Sequence, residues 1–192
     1  LTIDSLRLLT KHVAPQTELE CLSVAGNSKL EKHSADVAAL IRQLRTKHLR
    51  YLDVGGLSLD AASTEAVCRW LSERDLPLQC VGLSTAQLSS GALSRLARAY
   101  PTLASLSVAG CATVAQRDIA AFRRLQYLDA SNCPMIHCVA HCGTTLKTLY
   151  ATGDSGINDD GVSNATGIVT LVIDNNAKVT TVSPFGATLR EL

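Results

Sequence analysis

Seven times along the chain a Leu-like residue is followed three and five positions later by others of its kind. The copies are anchored at Leu19, Leu22 and Val24; Leu49, Leu52 and Val54; Leu78, Val81 and Leu83; Leu103, Leu106 and Val108; Leu125, Leu128 and Ala130; Leu146, Leu149 and Ala151; and Ile168, Leu171 and Ile173. An eighth opens at Leu189 and Leu192. First residues are separated by 30, 29, 25, 22, 21, 22 and 21 positions. The alternation that closes each copy predicts a short strand, with neighbouring side chains on opposite faces. One copy cannot bury its own apolar side, so copies must stack and share a core. Strands that all run the same way each need a return crossing. The stack therefore predicts a parallel sheet on one side and return segments on the other.

These residues resemble the leucine-rich repeat family, whose motif continues to an Asn or Cys three positions past the last apolar residue. That slot holds Asn27, Cys111, Cys133 and Asn176, with Leu57, Ala86 and Asp154 in the other three copies. The resemblance covers roughly residues 19 to 192. It implies an α/β solenoid, a horseshoe with a concave parallel β-sheet, whose inward Asn or Cys side chains bond the backbone of neighbouring turns. At Leu57 and Ala86 that ladder is expected to be broken or bridged otherwise. The resemblance also implies a protein-binding module rather than an enzyme, with no cofactor and no small-molecule substrate.

The whole chain, 1–192, reads as a single solenoid. Residues 19–102 make long copies similar to the ribonuclease-inhibitor type, whose returns read as helices. Ser34 is expected to cap a helix burying Val37, Leu40, Ile41 and Leu44; Ser63, one burying Ala66, Val67, Trp70 and Leu71. Ser90 is expected to cap a third, with Leu93, Leu96, Ala97 and Tyr100 inside and Pro101 ending it. Ile3, Leu6 and Leu9 mark residues 1–18 as the helical half of a preceding repeat or a cap.

Residues 103–192 make copies too short for full helices, similar to the cysteine-containing type, and predict extended or 3₁₀ returns. They form a doublet of 43 residues, repeated twice. In it Val114 pairs with Ile157, Ile119 with Val162 and Phe122 with Ala165; Ile136 pairs with Val179, Val139 with Val182 and Cys142 with Phe185. Such doublets resemble repeat proteins of trypanosomatid parasites. Helices are wider than extended returns, so the first half is expected to curve more strongly than the second.

Composition narrows the partners. Hydrophobic residues make 46% of the chain and aromatics only 4%, so the core must be aliphatic. The net charge is +1 and neither half carries a basic excess, which argues against nucleic acid. No apolar run approaches the length of about 18 residues that a membrane helix needs, so no membrane insertion is expected. The chain starts at Leu1 rather than Met and stops inside a copy, so flanking sequence is expected, and any targeting signal with it. Seven cysteines, an odd number, several at buried repeat positions, point to free thiols in a reducing, cytoplasmic setting.

The densest chemical cluster is Cys133, His137, Cys138, His141 and Cys142, whose residue types could hold zinc. The doublet alignment assigns Cys133 and Cys142 to buried positions instead, so no metal is expected. A Cys/His nucleophilic pair lacks an orienting group. Gly55 and Gly56 follow a strand without the Lys of a phosphate loop, and Asn164, Ala165 and Thr166 match a glycosylation pattern that secretion alone would use. The outward positions of the sheet carry the functional expectation. A partner-binding face is expected from Tyr51, Asp53, Tyr127, Asp129, Lys147, Tyr150 and Asp174, because Tyr joins apolar area to a hydroxyl. Gly82, Ser107 and Ala109 are expected to leave a shallow trough between its two ends. The partner is expected to be a protein, held by a scaffold or adaptor. An alternative is a spacer within a larger cytoskeletal or surface protein.

Overall fold

The computed structural model describes residues 1–89 and 91–192, and in it the leucine spacing becomes strand register. Seven three-residue strands, β1 Cys21–Ser23, β2 Tyr51–Asp53, β3 Cys80–Gly82, β4 Ser105–Ser107, β5 Tyr127–Asp129, β6 Thr148–Tyr150 and β7 Thr170–Val172, lie in chain order. All pair in parallel, so Leu22, Leu52, Val81, Leu106, Leu128, Leu149 and Leu171 form one inward column. The eighth copy adds a bridge from Thr170 to Glu191. Every residue of that column is buried, and each such side chain contributes about 1.5–3 kcal/mol by leaving water. The chain is an α/β leucine-rich repeat solenoid.

The returns differ along the chain. Helices α1 Ile3–His12, α2 Ser34–Gln43, α3 Ala61–Ser72 and α4 Ala92–Ala99 back the first copies. Leu6, Val37, Leu40, Ile41, Val67, Trp70, Leu71, Leu93 and Leu96 form their buried faces. Later returns are a single turn, α5 Gln116–Ile119 and α6 Asp159–Val162, alternating with 3₁₀ turns at Ala140–Cys142 and Ser183–Phe185. From residue 116 to 159, and from 140 to 183, the same element returns 43 positions on.

Two expected caps are corrected. A 3₁₀ stretch, Ser28–His33, runs straight into α2, so Ser34 is the first helical residue and is buried. In α3 the cap is Asp60, whose Oδ1 accepts the Ser63 N–H at 2.8 Å. A carboxylate there both satisfies a free N–H and meets the positive helix end, so it displaces the serine three positions on. Ser90, the third expected cap, lies outside the described residues; α4 follows Gly91.

A turn of fixed form follows each strand. Its last residue before the Asn/Cys slot takes a left-handed φ in all seven copies, between +53° and +72°: Gly26, Gly56, Thr85, Gly110, Asn132, Gly153 and Asn175. The first six each donate their N–H to the next copy, as Gly56 does to Ser84 O at 2.9 Å and Thr85 to Ala109 O at 2.7 Å. The turn thus extends the sheet's hydrogen-bond ladder while the chain leaves the strand. Thr85 is the costly member, since a β-branched residue pays about 1–2 kcal/mol in this region.

The slot itself forms a second ladder. Cys111 Sγ donates to Leu83 O at 3.2 Å, Cys133 Sγ to Val108 O at 3.1 Å, and Asn176 Nδ2 to Ala151 O at 2.8 Å. Each acceptor closes the strand motif of the preceding copy. Asn27 instead bonds its own turn at Val24 O and Ala25 O. Leu57 and Ala86 are buried and have no side-chain donor. Asp154 is turned outward to Lys178 at 3.1 Å, and Ser155 beside it is fully buried. A carboxylate facing a carbonyl in the core would be uncompensated, which sends it to solvent.

Candidate functional site

Parallel register arranges the outward side chains of the sheet in two columns. One reads Cys21, Tyr51, Cys80, Ser105, Tyr127, Thr148 and Thr170; the other Ser23, Asp53, Gly82, Ser107, Asp129, Tyr150 and Val172. The expected residues gather at two places on this face. On β2 the Tyr51 hydroxyl donates to Asp53 Oδ2 at 3.2 Å, and Asp53 Oδ1 accepts the Gly55 N–H at 2.9 Å. On β5 and β6 the rings of Tyr127 and Tyr150 pack with centroids 5.7 Å apart at 43°. Asp129 stands in register with Tyr150. Its Oδ1 accepts the Ser131 N–H at 3.1 Å and its Oδ2 the Ser107 hydroxyl at 3.4 Å.

Burial raises the hydroxyl pKa of Tyr127 to about 12, helped by the nearby Asp129 carboxylate and Tyr150. Tyr51 is raised in the same direction, first by burial and then by Asp53. Both tyrosines therefore stay neutral donors at physiological pH, half covered by the sheet and half presented.

Lys147 and Asp174 do not join either group. Lys147 precedes β6, is exposed, and curls back so that Nζ donates to Thr144 O at 2.9 Å. Asp174 is exposed past the end of β7. Between the two groups, β3 and β4 present small side chains, but Asp53 leans across Gly82 so closely that a β-carbon there would strike its carboxylate. The expected trough is thus filled on its β2 side. Two serines were not anticipated: Ser84 shares a hydrogen bond of 2.7 Å with Ser107, and Ser131 Oγ accepts the Thr152 N–H at 3.2 Å. With Asp129 between Ser107 and Ser131, they link strands β3 to β6 into one polar seam. Ser84 and Ser131 occupy the same position two residues past their strands, a periodicity visible in the repeat alignment.

The Cys/His segment is part of the packing. Cys133 and Cys142 are buried, the latter directing Sγ to Phe122 O at 3.6 Å, and burial raises their thiol pKa values to about 11 and 12. His137 is exposed, with Nδ1 3.4 Å from Gly156 O of the next copy. Among the described residues no three of His, Cys, Asp or Glu converge as a metal would require. His141 is half-buried, and neither ring nitrogen has a hydrogen-bond partner among the described residues. Burial, then Arg123, lowers its pKa. Asn164 is exposed and Ala165 buried, as the doublet alignment predicts. No helix of the described residues is long and apolar enough to cross a membrane.

No protein-family model matches the sequence, and no curated protein matches it. Solved structures do match its fold. A tropomodulin C-terminal domain from Caenorhabditis elegans aligns over 67% of this chain and 81% of its own, at 10% identity and a TM-score of 0.50. TLR13, solved in complex with the single-stranded RNA ssRNA13, aligns over 97% of this chain at 17% identity and a TM-score of 0.51. This chain spans 34% of the TLR13 chain.

Proposed function

We propose that the concave sheet face binds a protein partner, and that Tyr127, Asp129 and Tyr150 form the centre of the contact. The observation that carries this reading is the packed tyrosine pair in register with a carboxylate that the fold already holds in place. A preset, half-covered aromatic pair presents apolar area and hydroxyls at little ordering cost on binding. Tyr51 and Asp53 repeat the arrangement three strands away, and Lys147 and Asp174 lie at the rim of the same face. The module works as a scaffold or adaptor and performs no reaction of its own. Seven free thiols, four of them buried, support a reducing, cytoplasmic setting. The return of each short element 43 positions on supports a 43-residue doublet as the unit of the C-terminal half.

The test is affinity capture from native cells with the wild-type chain and the Tyr127→Ala/Tyr150→Ala variant. Loss of two hot-spot tyrosines costs a partner about 30-fold or more in affinity, so its recovery should drop to background. Tyr127→Phe, which keeps the ring, should retain most of it. An unchanged set of captured proteins from a folded double variant would overturn the reading and favour the spacer role. Because TLR13 was solved with an RNA, a labelled oligoribonucleotide belongs in the same assay.

A further inference from the structure

The sequence is close to neutral, but the fold sorts its charges. Every return segment ends on one flank of the solenoid, where helices stop and strands begin. Along it stand the exposed Lys11, Arg42, Arg45, Lys47, Arg98 and Arg124. The opposite flank, where strands stop and returns begin, is acidic, and there the fold uses the carboxylates. Asp53 accepts the Gly55 N–H, Asp60 the Ser63 N–H, Asp118 the Ala115 N–H and Asp159 the Thr180 N–H, all at 2.8 to 2.9 Å. The cations have no such internal use. Ion pairs among the described residues take Arg50 to Glu20 and His48 to Glu18 on this flank, but none takes Arg42, Arg45 or Arg74.

Those three arginines line one cleft of about 320 Å³ between the ends of α1, α2 and α3. Its floor is Ala14, Pro15 and Leu44, with Gln43 and Thr10 completing the wall, and no carboxylate lines it. Glu73 and Asp75 flank Arg74 in sequence, but Glu73 opens onto the neighbouring groove beside Trp70, and Asp75 onto the cleft beside Tyr100. Arg74 is oriented by stacking over the Trp70 ring, 4.6 Å from its centroid. The Arg45 segment is tied down by its backbone N–H, which donates to Ala14 O at 3.0 Å. One cation near the carbonyl end of α2 is ordinary helix electrostatics. Three on one cleft without a carboxylate in its lining are not, even with Arg42 also bordering the groove that holds Glu65 and Glu73.

We propose that this cleft binds a phosphate monoester. A phosphoryl dianion offers three peripheral oxygens, enough for paired hydrogen bonds from several guanidinium forks, where a carboxylate would satisfy only one. The inference is independent of the concave-face reading, since it uses a different surface.

Calorimetric titration of the chain with O-phosphoserine and with inorganic phosphate at low ionic strength tests it. The Arg42→Gln/Arg45→Gln variant should bind at least about 30-fold more weakly and Arg74→Gln about 10-fold more weakly, given the strength of charge-assisted bonds. Arg123→Gln/Arg124→Gln, further along the same flank, should stay within about 2-fold, and all variants should melt as the wild type does. Absence of binding to either anion at millimolar concentration overturns the site. So does equal binding of sulfate, or an equal loss in the Arg123/Arg124 variant, which would mean a diffuse potential rather than a cleft. Phosphatidylcholine vesicles with a few per cent of phosphatidylinositol 4-phosphate then locate the source. Capture that requires Arg42 and Arg45 assigns the ligand to a lipid headgroup. No capture, with phosphoserine binding intact, assigns it to a soluble phosphate carrier.

Discussion

The two halves of the solenoid close their backs in different ways. In the first half, whole helices meet through side chains. Tyr100 of the α4 end donates its hydroxyl to Leu71 O and Arg74 O of the α3 end, and Glu65 of α3 takes Arg95 and Ser89 from the next copy. In the second half the returns are short, and backbone approaches backbone with only single side chains between copies. Gln116 clips the next copy, its Oε1 accepting the His137 and Cys138 N–H groups and its Nε2 donating to Cys138 O. Gly156, Gly161 and Gly167 each sit against a carbonyl of the preceding copy, at Pro134, His137 and Thr144, with no room for a β-carbon. One repeat motif thus tolerates two kinds of back, and the cost of an error moves from side-chain fit to main-chain distance.

The largest test of that contrast is a matched pair of glycine substitutions. Gly161→Ala should lose about 2–3 kcal/mol, since the new methyl group meets the His137 carbonyl and the neighbouring copy cannot yield. Gly91→Ala, whose nearest obstacle is the mobile tip of Arg95, should change stability by less than about 0.5 kcal/mol. Equal effects in urea unfolding would erase the distinction between the halves.

A smaller effect concerns the turn that both halves share. Thr85→Gly should stabilise the chain by about 0.5–1 kcal/mol by relieving a left-handed threonine, after allowing for the hydroxyl that accepts the Ser58 N–H at 3.3 Å. Gly110→Ala, at φ +72° in the next copy, should destabilise it by about 1 kcal/mol. The same sign for both would show that the turn is not what limits these positions.

The smallest effect is seen by tyrosinate absorbance. Tyr100 and Tyr127 both have pKa values raised to about 12, after burial by Asp75 in the first half and by Asp129 in the second. A folded-state pKa above the ordinary 10.0 means that each contributes stability fully present below pH 10 and lost as pH rises through about 12. Asp129→Asn should bring one tyrosine's ionisation to lower pH and leave Tyr100 in place. If both move together, the two environments are coupled rather than separate.

Much of this was legible along the chain. The inward leucines announced each strand and its register, and the doublet pairs fall inside the core, with Val182 half-buried near the last copy. Helix starts were less legible, because Ser34, Ser63 and Asp60 are all competent caps and packing selects among them. The outward turn of Asp154 was not legible for a related reason, since spacing does not register that a carboxylate must leave the core. Of the concave residues, Tyr51 with Asp53, and Tyr127 with Asp129, were placed by their alternation within strands. The positions of Lys147 and Asp174 were not, because each lies beyond the strand, where a flexible or turning segment decides direction.

The period of apolar residues by itself determined the stacked parallel strands, because a side chain's face in a strand depends only on whether its position is odd or even. What the tertiary structure alone decided is which polar groups of different copies become neighbours. Arg42 and Arg74 are 32 positions apart, and Arg74 is flanked along the sequence by Glu73 and Asp75. Stacking brings them to one cleft because copies coincide in space whatever the number of residues between them, and Coulomb attraction follows distance through space rather than along the chain.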